Sequence, residues 1–118
     1  MRAKKSLGQH FLMHARIAER IALIADIAND DVVFEIGPGT GMLTRALLPR
    51  AKKVIAIEAD RVLFEKLKSD FVKEISNNKL ELIHGDIRSF DIASLPKGYV
   101  LVSNIPYYLT GDIFRMFL

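Results

Sequence analysis

A chain of 118 residues with a formal net charge of +3 is one domain's worth of material, enough to bury a single core without staples. Half of the residues are apolar and none is cysteine, which suits an ordinary globular protein and excludes disulfides and Cys-based zinc or redox chemistry. Apolar runs fall short of the ~18 residues of a membrane span and the start lacks a signal peptide's apolar stretch, so a cytoplasmic protein without a membrane partner is expected.

The chain opens on a basic segment. Arg2, Lys4, Lys5, His10, His14, Arg16 and Arg20 crowd the first twenty residues, where the only acid is Glu19. Such a segment is either a solvated tail or an arm that contacts RNA. From about 14 to 28, Ile17, Ile21, Ile24 and Ala28 recur at helical spacing, and Asn29-Asp30-Asp31 breaks the pattern. The apolar run 32–36 then reads as a strand entering the turn Gly37-Pro38-Gly39-Thr40-Gly41. Residues 42–50 resume as a helix that Pro49 ends.

Val54-Ile55-Ala56-Ile57 is a second buried strand closing on Glu58. Asp60 caps a helix whose Leu63, Leu67, Phe71 and Ile75 share one face, and Asn77-Asn78 ends it. Residues 80–84 read as a third strand leading to Gly85-Asp86, and 99–103 as a fourth leading to Asn104-Ile105-Pro106-Tyr107-Tyr108. A further helix is expected to begin near 110–112. Strands alternating with helices imply an α/β fold with a parallel sheet covered on both faces. Four strands are few for that architecture, and the fourth is apolar enough for a central position, so a truncation after about the fourth strand is expected.

In open α/β sheets ligands bind beyond the carboxyl ends of the strands. Glu35 to Gly41 (Gly37 and Gly39 among them), Glu58, Asp86 and Asn104 all fall there. The turn has the spacing Gly37-x-Gly39-x-Gly41, with Met42 where a dinucleotide-binding turn carries its third glycine. It is either a structural turn or a place where a ligand approaches the backbone closely. Glu58 is either solvated or an acceptor for both hydroxyls of a ribose. Asp86 is either a cap residue after Gly85 or an acceptor for an adenine amine. Jointly the functional readings describe an adenosine-containing ligand, and the lack of a G-x-x-x-x-G-K-[ST] run favours S-adenosylmethionine over a nucleoside triphosphate.

Asn104-Ile105-Pro106-Tyr107 is the most specific element. An exocyclic adenine amine is a poor nucleophile because its lone pair is delocalised into the ring. The Asn104 side-chain oxygen and the Ile105 carbonyl can accept the amine hydrogens and so aim the lone pair at a methyl group. Pro106 stiffens the segment, and Tyr107 can stack on a base taken out of its helix. The plain alternative is a turn whose tyrosines pack into the core.

Ser6-Leu7-Gly8-Gln9-His10-Phe11-Leu12, Glu35-Ile36-Gly37-Pro38-Gly39-Thr40-Gly41, Glu58, Gly85-Asp86 and Asn104-Ile105-Pro106-Tyr107-Tyr108, in this order, resemble the ribosomal RNA adenine N6,N6-dimethyltransferases over essentially the whole chain. The resemblance implies a Rossmann-like S-adenosylmethionine-dependent methyltransferase fold of seven strands, followed by a small helical domain. Residues 1–118 would then be a single N-terminal part of the methyltransferase domain, with the remaining strands and the helical domain absent. By motif, His10, Leu12, Gly37, Gly39, Glu58, Asp86 and Asn104 would contact S-adenosylmethionine, and Asn104, Pro106 and Tyr107 would form the target-adenine site, with Phe11 nearby. His10 departs from the asparagine common at its position.

The family's general members dimethylate adjacent adenines of small-subunit ribosomal RNA during ribosome assembly, and the Ser6–Leu12 segment resembles that group. A macrolide-resistance group acting on large-subunit RNA and a non-catalytic nucleic-acid-binding relative are the alternatives. The expectation is a fragment that binds cofactor, methylates weakly or not at all, and self-associates through the exposed fourth strand.

Overall fold

The computed structural model describes residues 15–103. Its centre is a four-stranded parallel sheet of β1 (Val32–Ile36), β2 (Lys53–Glu58), β3 (Leu80–His84) and β4 (Val100–Ser103), in the order β3-β2-β1-β4. The chain steps outward from β1 to β2 to β3, then returns to the other side of β1 for β4. That reversal puts a topological switch point between β1 and β4, the position where open α/β sheets open a crevice beyond their carboxyl ends. β4 is an edge of the sheet among the described residues, with β1 as its neighbour there, so its apolar run lies at an exposed strand as expected.

Strand alternation sorts the core into two halves. Val33, Val54, Ala56, Leu80 and Val102 face one way and join Ala18, Ala22, Leu43, Leu47, Leu67 and Phe71 of the covering helices. Phe34, Ile36, Ile55 and Ile57 face the other way. The expected helical cover on that second face is not found among the described residues. Two single 3-10 turns (Ile87–Ser89 and Ile92–Ser94) run there instead, and Phe90 stacks on Phe34 with ring centroids 5.1 Å apart. Two three-residue turns separated by Phe90 and Asp91 are each too short a run for a stable α-helix.

Helix α1, described over 15–24, buries a different face from the one its isoleucines outline. Ala18 and Ala22 are buried, whereas Ile17 and Ile24 are exposed. Small side chains at i and i+4 give the helix a flat face towards the core, and Ile21 packs beside it. The helix also ends before Asn29: the Ala25 amide bonds to the Ile21 carbonyl, and Asp26 takes a left-handed φ of 50° that stops propagation.

Helix α2 (Met42–Leu47) starts directly from the glycine turn and stops short of Pro49, as the ring's missing N–H requires. The long helix expected after Asp60 is two pieces, α3 (Arg61–Asp70) and α4 (Val72–Ser76). Phe71 interrupts it with φ −112° and ψ 27°, although Leu67, Phe71 and Ile75 do face the core together. Asp60 caps α3 by accepting the Leu63 amide at 2.9 Å, and Asn78 ends α4 at a left-handed φ of 59°.

Candidate functional site

The carboxyl ends of β1, β2 and β3 are tied together by backbone bonds as well as by the sheet. The Gly37 amide donates to the Ile57 carbonyl at 2.9 Å, and the Gly85 amide donates to the Glu58 carbonyl at 3.0 Å. The turn after β1 and the turn after β3 are therefore both anchored to the last two residues of β2. Gly37, Gly39, Glu58 and Asp86 gather on this one end of the sheet, as their strand positions predict. His10, Leu12, Asn104, Pro106 and Tyr107 lie outside the described residues, as do Phe11 and the helix expected near 110–112.

The glycines of the turn have positive φ: 67° at Gly37, 60° at Gly39 and 88° at Gly41. Their surroundings differ. A Cβ at Gly41 would come within 2.7 Å of the Phe71 ring and 3.0 Å of Leu67, so this glycine lets α2 pack on α3. A Cβ at Gly39 would meet nothing nearer than the Gly37 carbonyl at 3.9 Å. The backbone at Gly39 is thus bare towards open space, which fits close approach by a ligand.

Glu58 is buried, and both of its carboxylate oxygens are engaged. Oε1 accepts the Gly39 amide and Oε2 accepts the Asp60 amide, each at 2.9 Å. Each oxygen has two lone pairs, so room remains to accept hydroxyls as well. Next to it on the sheet, His84 pairs in register with Glu58. Its ring tilts against Phe64 at 5.1 Å, and its Nε2 lies 3.2 Å from the Ala59 carbonyl.

Asp86 caps the first 3-10 turn by accepting the Arg88 amide at 2.9 Å, and pairs with the Arg88 guanidinium at 2.8 Å. The hydrogen bonds from Arg88 hold its carboxyl down at about 2, a firmly ionised acceptor. The capping role is thus the observed one, and it leaves the aspartate partly exposed, with room for a further donor.

Arg88 escaped the sequence reading, and Glu35, which that reading places among the polar residues at the strand ends, takes a role it did not assign. Glu35 is fully buried on the helix-covered side of β1, and Thr44 of α2 donates its hydroxyl to Glu35 Oε1 at 2.5 Å. Glu35 Oε2 has no hydrogen-bond partner among the described residues. Burial pushes the Glu35 carboxyl up to about 7, with the Thr44 bond opposing the rise and the Glu58 charge adding to it. The available signal was an acid inside an otherwise apolar strand run. Arg88 carried no comparable signal, being one basic residue in a polar loop.

A family model described as ribosomal RNA adenine dimethylase matches residues 1–118. The chain belongs to that family. Among curated relatives, it is 42% identical over 121 residues to ribosomal RNA small subunit methyltransferase A of Dehalococcoides mccartyi, covering all of this chain and 40% of the relative. It is 44% identical over 115 residues to the protein of that name from Clostridium perfringens, covering 95% of this chain and 39% of the relative. This dimethylase-family chain therefore spans about two fifths of the length of the curated relatives it matches.

Solved structures agree with the fold. The crystal structure of the 23S rRNA methyltransferase ErmE superposes with a TM-score of 0.72 at 32% identity, over 85% of this chain and 39% of that one. A dimethyladenosine transferase from Plasmodium falciparum gives a TM-score of 0.69 at 40% identity, over 86% and 36%. The parallel α/β sheet read from the alternating strands and helices, and the Rossmann-like methyltransferase architecture that the motif resemblance implies, are thus observed among the described residues.

Proposed function

We propose that this chain is the cofactor-binding part of an S-adenosylmethionine-dependent adenine N6-dimethyltransferase acting on small-subunit ribosomal RNA. The observation that carries the reading is Glu58, a buried carboxylate at the end of β2 that accepts the Gly39 amide and retains acceptor capacity beside a bare glycine turn. Names of the curated relatives support the substrate class.

The described residues fit the cofactor's parts. Glu58 accepts the ribose hydroxyls, Asp86 accepts the adenine amine, and Gly37 and Gly39 leave the backbone open to the amino-acid end. By motif, His10, Leu12 and Asn104 complete that site, and residues 1–118 form the N-terminal part of the methyltransferase domain. S-adenosylmethionine, when bound, supplies an activated methyl group. The chain's own task is then to orient the acceptor: Asn104 and the Ile105 carbonyl hold the amine hydrogens, Pro106 stiffens their presentation and Tyr107 stacks on the base. Positioning and electrostatics suffice for this reaction without a strong base.

The proposed setting is a pre-ribosomal particle in the cytoplasm. No helix among the described residues is long and apolar enough to cross a membrane. The β4 edge supports a proposal of self-association, in which a second copy pairs along that strand. Sedimentation across a wide concentration range tests it, and a strictly monomeric species would count against it.

The TM-score of 0.72 to ErmE favours large-subunit RNA as the second reading. Tritiated S-adenosylmethionine and undermethylated small- or large-subunit particles, given to a protein that carries this chain at the full length of its relatives, separate the two. Label in adenine of small-subunit RNA, lost in Asn104→Ala, is the expected result. Label confined to large-subunit RNA would transfer the assignment to the second reading.

A further inference from the structure

The two amides that Glu58 accepts belong to different loops. Gly39 lies in the turn between β1 and α2, and Asp60 is the N-cap of α3. At the far end of the turn, packing does the holding, since Gly41 is wedged against Phe71 and Leu67. Gly39 has no such wedge, with open space where a Cβ would stand. Among the described residues its amide bonds to Glu58 Oε1, which holds a part of the turn that has no such wedge.

We propose that Glu58 is a positioning residue that latches the glycine turn to the start of α3, so that ligand contact with the turn depends on Glu58 even for a ligand with no group touching it. The inference rests on the reading of this end of the sheet as an S-adenosylmethionine site and deepens it. One carboxylate then couples the amino-acid end of the cofactor, which meets the turn, to the ribose, which meets Glu58 itself. A carboxylate is required because both oxygens must accept. A glutamine presents one oxygen and one NH2, and the NH2 cannot accept a backbone N–H. An aspartate keeps the charge but withdraws both oxygens by a methylene.

The test uses the 118-residue chain without ligand, followed by titration. Amide hydrogen exchange is read by NMR at Gly39, Asp60 and Gly41, each relative to Val54 in the middle of β2, which corrects for any change in global stability. In Glu58→Gln, exchange at Gly39 or Asp60 is expected to accelerate roughly five-fold or more, the equivalent of one lost hydrogen bond, with Gly41 unchanged. Glu58→Asp is expected to release both amides.

Titrations then compare S-adenosylhomocysteine with its 2′,3′-dideoxy analogue, which has no hydroxyl for Glu58. The latch predicts that Glu58→Gln weakens the dideoxy analogue too. Unchanged exchange at Gly39 and Asp60 in both variants, with equal affinity of the dideoxy analogue for wild type and Glu58→Gln, would overturn the latch and leave Glu58 as a ribose ligand. If neither ligand binds the wild-type chain, the cofactor reading fails, while the exchange rates still decide the latch.

Discussion

Thr44 donates its hydroxyl to Glu35 across the start of α2, a bond of 2.5 Å between two side chains that are both out of reach of solvent. The helix that begins at the glycine turn is thereby pinned to the strand that ends at it. The same contact leaves Glu35 Oε2 without a partner among the described residues, in surroundings that push the carboxyl up to about 7.

A raised acid makes stability fall as pH rises. Between its unfolded value of 4.5 and its folded value of about 7, the native chain holds more protons at Glu35 than the unfolded chain does. The penalty is absent below pH ~4.5 and complete above pH ~7, and its size is about 3 kcal/mol. Glu35→Gln removes the titration and keeps an acceptor for Thr44. Urea unfolding at pH 5 and pH 8 is expected to show a flatter pH dependence in this variant. An unaltered pH dependence would mean that Glu35 does not titrate in this window.

Thr44→Val acts in the opposite sense. Valine keeps the volume but removes the donor that favours the charged carboxylate, so Glu35 rises further. The expected loss is about 1–3 kcal/mol at pH 8 and less at pH 5, where the carboxyl is mostly neutral. Equal losses at both pH values would assign Thr44 to packing alone.

The two glycines of the turn separate ligand access from packing. Gly41→Ala forces a methyl to within 2.7 Å of the Phe71 ring at a φ of 88°. The expected cost is about 2–5 kcal/mol in unfolding free energy, from overpacking and left-handed strain together. Gly39→Ala meets open space and costs about 1–2 kcal/mol of strain. That smaller lesion is expected to impair S-adenosylmethionine binding more than its stability loss explains, because the methyl enters the space left for the ligand. Melting temperatures and calorimetric titration on both variants check the contrast.

Arg88 sets the state of Asp86. Removing its side chain in Arg88→Ala is expected to bring the Asp86 carboxyl up from about 2 towards its ordinary value, since the guanidinium bonds that hold it down are lost. A carboxyl titration followed by NMR reads the change directly. A midpoint that stays near its present value would assign the depression to the Arg88 backbone amide.

Sequence patterns exposed the strand ends well. Gly37, Glu58 and Asp86 could be placed because a parallel sheet sends the carboxyl end of every strand to one side, whatever the helices do. Side-chain choices within helices were harder to read. In α1 the alanines are buried in the core while Ile17 and Ile24 are exposed, because close packing rewards small residues and hydrophobicity ranks them low. The break at Phe71 was invisible because its ring packs beside Gly41, a partner thirty residues away in the chain. The Thr44–Glu35 bond was hidden for a similar reason: nothing local marks a threonine as the donor to an acid on a neighbouring strand.

The central claim is that the glycine turn and Glu58 together form an S-adenosylmethionine site within this chain. Calorimetric titration of the 118-residue protein with S-adenosylmethionine, beside its Glu58→Ala variant, tests this most directly. The account predicts saturable one-to-one binding that weakens at least roughly ten-fold in the variant, a loss of about 1.4 kcal/mol. No binding by the wild-type chain, or equal binding by both proteins, would contradict it.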